Sequence, residues 1–198
     1  QNHEGKWYYT AFVENGRVVD DEQHALKTAF LEIAQLRKTN FRFTCNQNII
    51  VADVTDEDKS EIHAILDKYG VVESTERSTP LRRESIACVA FNTCALALAE
   101  AQRYLPGLIS KIEPLLDKYG LQDDNISMRM TGCPNGCARP YAAEIAFIGT
   151  AYGYYNLQIG GDRTGTRLNK LYKESLNEEG IIQELDGLFK IYSGKREA

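Results

Sequence analysis

The chain carries five cysteines, and four of them fall into two close pairs: Cys88 and Cys94 with five residues between them, Cys133 and Cys137 with three. Soft thiolates select zinc, copper(I) or iron–sulfur clusters, and four of them complete a cubane cluster. Three readings compete. Unpaired cysteines pack as small hydrophobes anywhere in a core. Structural zinc sites use short Cys knuckles, often with histidine, but His3, His24 and His63 all lie far from these cysteines in sequence. The cluster reading accounts for more residues. Cys133 and Cys137 sit in Gly132-Cys133-Pro134-Asn135-Gly136-Cys137, a turn sequence rather than an apolar run. A cysteine in such a turn at the start of a helix shares its surroundings with backbone N–H groups, which stabilise thiolate charge. Gly132, Gly136 and Ala138 leave room for a bulky inorganic group against the backbone. Cys94 stands at the start of an alanine- and leucine-rich run and is expected to open a helix in the same way.

The elements that must position these thiols are readable in outline. At 198 residues and 43% hydrophobic, the chain is long enough for one large domain or two small ones. Trp7 to Val13 is aromatic and β-branched, and Glu14-Asn15-Gly16-Arg17 before Val18 and Val19 predicts a β-hairpin. Leu26, Ala29, Phe30, Ile33, Ala34 and Leu36 recur at helical spacing. Strands are expected over 41–45 and 48–52, then a helix capped by Asp56 and ended by Gly70. The polar, proline-broken stretch 75–83 marks a boundary. Beyond it the pattern predicts a strand over 86–91, a helix over 94–105 stopped by Pro106-Gly107, and a helix over 108–119 kinked or divided at Pro114. A strand over 126–130 leads into the Cys133 turn, followed by a short helix over 137–144, strands over 145–148 and 154–159, and a helical tail over 168–192. This alternation is that of an α/β layer structure. Leu-Asp-Lys-Tyr-Gly occurs at both 66–70 and 116–120, as expected of two helices ending with a lysine in the last turn and glycine just beyond.

Charge and composition exclude several classes. A formal net charge of −5 argues against nucleic acid as a partner, since phosphate binding calls for a basic stripe. No apolar run approaches the roughly 20 residues that cross a bilayer, and Gln1 to Lys6 lacks the layout of a signal peptide, so no membrane partner and a cytoplasmic location are expected. Five cysteines are too few for a disulfide scaffold. A chain that begins at Gln1 rather than methionine reads as a piece of something longer.

The segments Ile86-Ala87-Cys88-Val89-Ala90-Phe91-Asn92-Thr93-Cys94 and Met130-Thr131-Gly132-Cys133-Pro134-Asn135-Gly136-Cys137-Ala138-Arg139 resemble the sirohaem-containing sulfite and nitrite reductases. So do Phe12 to Arg17, Leu31 to Ala34, Asn46 to Asn48, Ala99-Glu100, Tyr104 to Pro106 and Gly160 to Thr166, so that the resemblance covers nearly the whole chain and is closest to the second half of the NADPH-type haemoprotein subunits. It implies a mixed fold, α+β and α/β: a ferredoxin-like half-domain over 1–78, then a mixed α/β iron–sulfur and sirohaem-binding domain over 79–198. It implies a [4Fe–4S] cluster held by Cys88, Cys94, Cys133 and Cys137, with Cys137 also the axial ligand of a sirohaem iron. The implied reaction is the six-electron reduction of sulfite to sulfide. Nitrite reductases share the cysteine spacing but tend to have Ser or Thr where this chain has Gly136, which favours sulfite. A stand-alone iron–sulfur or zinc module, in electron transfer or structure, is the alternative from another class.

The same resemblance implies partners: an N-terminal half of the same polypeptide, which supplies most of the sulfite-contacting cations, and an NADPH-dependent flavoprotein or a ferredoxin as electron donor. Without the first half, the site is expected to be incomplete and depleted of sirohaem. Arg139 is a candidate for a sirohaem carboxylate, since guanidinium matches carboxylate geometry. Its competing role is that of a surface arginine. Asn135 is held between two ligands and faces either cofactor or backbone. Asn46, Gln47 and Asn48 either line the sirohaem or form a strand-to-strand turn. Gly160 to Thr166 lacks a phosphate-loop ending and reads as a loop, either plain or beside the cofactor. Cys45 falls outside the ligand set and is expected to be a buried thiol.

Overall fold

The computed structural model describes residues 1–162 and 164–196. Arg163, within the Gly160 to Thr166 segment, lies outside the described residues, as do Glu197 and Ala198. The chain forms two compact units, Gln1–Ser78 and Thr79–Ala198.

The first unit runs β1 (Trp7–Ala11), α1 (Leu26–Leu36), β2 (Asn40–Phe43), β3 (Ile49–Val54), α2 (Lys59–Lys68) and α3 (Val71–Arg77). Its antiparallel sheet has the order β1-β3-β2. The apolar stripe Leu26, Ala29, Phe30 and Ile33 of α1 packs with Ile62, Ile65 and Leu66 of α2 on Ala11, Ile49, Val51 and Val54 of the sheet. The hairpin over residues 7–19 does not form. Glu14–Gly16 is a single 3-10 turn with left-handed Asn15 and Gly16, and Asn48 Oδ1 accepts the Val13 N–H at 3.0 Å. β1 pairs with β3 instead, Tyr9 opposite Val51 and Ala11 opposite Ile49, because that long-range partner buries its apolar face. Asp56 does not cap α2. It accepts the Trp7 indole N–H at 2.5 Å, while the Thr55 hydroxyl bonds Asp58 at the helix start.

The second unit contains α4 (Pro80–Arg83), β4 (Ser85–Ala87), α5 (Leu105–Lys118), β5 (Met128–Thr131), β6 (Ile145–Ala151), β7 (Tyr154–Ile159), β8 (Lys170–Leu176) and α6 (Glu178–Lys195). The sheet order is β4-β5-β6-β7-β8, parallel from β4 to β6 and antiparallel from β6 to β8. Met128, Met130, Phe147, Tyr155 and Leu157 face Leu105, Leu108, Ile109 and Ile112 of α5 and Ile181, Leu185 and Phe189 of α6. By strand alternation Arg129 and Thr131 point to the opposite face.

Four expectations fail here. The strand over 86–91 stops at Ala87. Residues 94–104 are turns rather than helix, although alanine and leucine favour helix: the N–H groups of Leu98 and Ala99 go to Gly132 O, and that of Gln102 to Cys88 O, so tertiary acceptors replace the local ones. The helix after this stretch begins at Leu105, with Pro106 in its first turn, where a missing N–H costs nothing, and continues through Pro114. Finally, residues 137–144 contain only a 3-10 turn, Pro140–Ala142, and the tail is strand β8 before it is helix. α6 starts where Asn177 Oδ1 accepts the Gly180 N–H at 3.0 Å.

The repeated pentapeptide closes α2 and α5 alike, with Gly70 at φ 70° and Gly120 at φ 67° just beyond. In each unit the lysine lies over the following tyrosine ring, and both reach one carboxylate of a neighbouring helix: Lys68 and Tyr69 bond Glu32, Lys118 and Tyr119 bond Asp186. The Tyr69 hydroxyl and Lys68 hold Glu32 below the ordinary carboxylate range, as Lys118 and Tyr119 do Asp186. A depressed carboxylate contributes stability above its unfolded pKa and loses it as pH falls through the folded value. Stability is therefore expected to decline below about pH 4, and Glu32→Gln with Asp186→Asn to flatten that decline in urea titrations run across the acid range. An unchanged acid limb would count against it.

Candidate metal centre

β4 and β5 are parallel neighbours, so their C-terminal ends lie side by side, the place where α/β sheets commonly build sites. Cys88 follows β4 directly, and its N–H extends the ladder to Met130 O at 3.1 Å. Cys133 and Cys137 follow β5 on the adjacent loop. The two loops are joined through sulfur, since Gly132 N–H donates to Cys88 Sγ at 3.2 Å. Gly132 O in turn accepts Leu98 N–H at 2.8 Å and Ala99 N–H at 3.0 Å, which brings the Cys94 segment onto the same glycine. Cys94 itself is held by its N–H to Ala90 O at 2.8 Å. Neither Cys94 nor Cys137 opens a helix; turns and backbone donors from other segments position them instead.

Close packing explains the small residues. A Cβ on Gly132 would stand 2.6 Å from Ala99 O and 2.8 Å from Ala90 Cβ, and one on Gly149 would stand 2.6 Å from Gly132 O. Cys133 is buried, Cys88 and Cys94 are half-buried and Cys137 is exposed. Burial pushes the Cys88 thiol up from its ordinary value. The Gly132 and Ala90 N–H groups oppose that rise, and the charges of Cys137 and Cys133 add to it. The Cys133 and Cys137 thiols therefore lie near enough to Cys88 to act on its charge.

The donor set fits an iron–sulfur cluster: soft sulfur ligands on adjoining loops, with N–H groups aimed at one of them. A second sign is Thr131 Oγ1, buried beside Gly132 without a hydrogen-bond partner. An unpaired buried hydroxyl costs about 1–3 kcal/mol, and a sulfide or thiolate of a bound cluster would be an acceptor for it. Among the described residues no three His, Cys, Asp or Glu side chains converge as a single metal ion requires. A cubane asks instead that four thiolates surround a larger volume.

The remaining candidates are placed as follows. Asn135 and Arg139 are exposed on either side of Cys137, and Arg139 is left-handed at φ 53°. Asn46, Gln47 and Asn48 belong to the first unit, in the turn between β2 and β3. There Asn48 bonds Val13 and Thr44, and the Gln47 side chain packs on Gly16, which are turn roles. Cys45 is exposed at that turn, not buried, because a hairpin tip has no second layer to cover it. In the Gly160 to Thr166 loop, Asp162 accepts from the Thr166 hydroxyl and from the Thr164 N–H and hydroxyl, which hold its carboxyl down at about 2.

Two residues escaped the sequence reading. Buried Arg129 on β5 donates from Nη1 to Arg139 O at 2.9 Å and Ala142 O at 3.2 Å. Buried Asn169 donates from Nδ2 to Pro140 O at 2.7 Å and Ala143 O at 2.9 Å. A charge between two methionines was a visible signal for the first, because a buried guanidinium must find acceptors. Nothing in the sequence marked the second.

Comparison with known proteins follows the same lines. Residues 1–69 match the nitrite/sulfite reductase ferredoxin-like half domain. The chain is 60% identical over 196 residues to the NADPH sulfite reductase hemoprotein beta-component of Leptospira biflexa, covering 99% of this chain and 35% of that protein. It is 54% identical over 193 residues to the counterpart from Staphylococcus carnosus, covering 98% of this chain and 34% of that one. The solved structure of the Mycobacterium tuberculosis NirA protein superposes with a TM-score of 0.75 over 98% of this chain and 37% of that chain, at 24% identity, which speaks for the fold alone. The chain thus spans about a third of the length of the curated relatives it matches. Over nearly its whole length the chain is therefore similar to one third of the NADPH sulfite reductase hemoprotein beta-components, and its first 69 residues to the nitrite/sulfite reductase ferredoxin-like half domain.

Proposed function

We propose that this chain is the cluster-bearing part of an assimilatory sulfite reductase haemoprotein, in which Cys88, Cys94, Cys133 and Cys137 hold a [4Fe–4S] cluster and Cys137 is shared with a sirohaem iron. The observation that carries the reading is the joining of the two cysteine loops across the ends of β4 and β5, through the Gly132 N–H on Cys88 Sγ and the Leu98 and Ala99 N–H groups on Gly132 O. Its supports are the soft donor set and the similarity to proteins named as sulfite reductase hemoproteins. When bound, the coupled cofactors would pass electrons from the external donor to sulfite in its six-electron reduction to sulfide.

The chain's own residues bind and orient. Gly132 and Ala90 N–H groups offset the burial that disfavours the Cys88 thiolate. Buried Cys133 suits a ligand of the cluster alone, and exposed Cys137 suits one that also meets a second group. Arg139 and Asn135, exposed beside it, would contact the carboxylates and edge of a tetrapyrrole; their exposure supports this reading. Sulfite-binding cations come from the remainder of the longer polypeptide, and electrons from an NADPH-dependent flavoprotein or a ferredoxin, in the cytoplasm.

Iron, acid-labile sulfide and haem analysis of the anaerobically reconstituted chain tests this. About four irons and four sulfides per chain are expected, with sirohaem well below one equivalent because much of its pocket belongs to the rest of the polypeptide. Tightly bound zinc with neither iron nor sulfide uptake would overturn the cluster. Stoichiometric sirohaem would overturn the depletion. Nitrite as the physiological substrate is excluded or established by comparing sulfite and nitrite turnover of the full-length enzyme.

A further inference from the structure

Just beyond Cys137 the chain presents five consecutive carbonyl oxygens, those of residues 139–143, and two buried residues take all of them. Arg129 Nη1 donates to the first and fourth, at Arg139 and Ala142. Asn169 Nδ2 donates to the second and fifth, at Pro140 and Ala143, and its backbone N–H donates to the third, Tyr141 O, at 2.9 Å. The clamped segment reaches back to the residue after Cys133, since the Tyr141 hydroxyl donates to Pro134 O at 3.2 Å. Within the segment only a 3-10 turn forms, and left-handed Arg139 stands at its start, so regular secondary structure does not set its course.

Arg129 and Asn169 reach this segment from different places: Arg129 from the middle of β5, Asn169 from just before β8. Burying a guanidinium to hold two peptide oxygens stabilises less than an apolar side chain of the same volume would, so what it supplies is a fixed geometry. We propose that Arg129 and Asn169 are positioning residues for Cys137, together fixing the direction in which its thiolate points. The inference rests on Cys137 being a cluster ligand. It adds that the direction of that ligand is set from behind, by donors that touch neither cluster nor substrate.

Asn169→Asp keeps the shape of the side chain and removes its two donors; Arg129→Lys keeps the charge but replaces the fixed planar Nη1 donor with a shorter-reaching, rotatable ammonium. In the full chain, amide hydrogen exchange at Arg139, Ala142 and Ala143 is expected to rise about tenfold in each variant, the scale of one or two lost hydrogen bonds, while β6 amides stay at their original rates. After anaerobic reconstitution, both variants are expected to bind iron as the unsubstituted chain does but to show shifted g-values and a shifted midpoint potential of the reduced cluster. Unchanged exchange in both variants, or loosened exchange with an unaltered spectrum and potential, would overturn the proposal. Should Asn169→Asp fail to fold, Arg129→Lys carries the same test. If the unsubstituted chain takes up no four-iron cluster, the cluster reading falls, and the positioning role with it, while the exchange rates still show whether the two residues hold the segment.

Discussion

Gly132→Ala should abolish iron uptake at the proposed cluster site and destabilise the second unit by about 3 kcal/mol, the upper range for overpacking a closed site. The added methyl meets a backbone oxygen, Ala99 O at 2.6 Å, rather than the end of a flexible side chain. Relief requires moving the strand end or the 94–99 segment, and both carry proposed ligands. Moving either breaks the N–H bond to Cys88 Sγ or the bonds at Gly132 O. Gly149→Ala should act through the same point, since its methyl would meet Gly132 O. Gly107→Ala is the control. Nothing lies within 4 Å of a Cβ there, and the residue is in the first turn of a helix, so its effect should be neutral or stabilising by up to about 1 kcal/mol. Urea unfolding and iron uptake read all three. A Gly132→Ala chain that unfolds at the original midpoint and binds iron normally would show that this contact does not hold the loops.

The second large effect is expected from the cysteines themselves. Serine in place of Cys88, Cys94, Cys133 or Cys137 should lower reconstituted iron from about four atoms per chain to below about one, because a cubane that loses a thiolate loses its hold on an iron. Cys45→Ser should leave iron content unchanged, for Cys45 sits exposed in the turn between β2 and β3 of the other unit. Equal losses in all five variants, or none in the four, would remove the ligand assignment. The four need not be equivalent. Cys133 is buried, and replacing it should also lower stability, whereas Cys137 is exposed and its loss should be confined to the metal.

Much of the fold could be read from the residues, and the failures share one cause. The stripes of α1 and α2 and the strands β5, β6 and β7 are local patterns that tertiary contacts reinforce. β1 was legible as a strand but not its partner, since β3 lies some forty residues away and the nearby Asn15-Gly16 turn suggested a closer one. The run from Cys94 to Tyr104 has a helical composition and is not helical, because Gly132 O and Cys88 O accept its N–H groups. β8 reads as part of a helical tail because it is an exposed edge strand without apolar alternation. The candidate site divides in the same way. The turn sequence around Cys133 and Cys137 is written locally, whereas the five carbonyls held by Arg129 and Asn169 are a property of the folded chain.

The sheet of the second unit ends on one side in β4, only three residues long, and on the other in β8, whose register against β7 shifts twice. β8 carries Lys170, Lys173 and Glu174, and its Ser175 is left-handed at φ 53°. A foreign strand adding to β8 would have to follow an irregular ladder and bury lysines, and one adding to β4 would find few peptide groups to pair with. Exposed Leu171 and Tyr172 therefore do not make this edge a template for fibrils. The same irregularity that hid β8 from the sequence reading keeps neighbouring molecules from zipping together through the sheet.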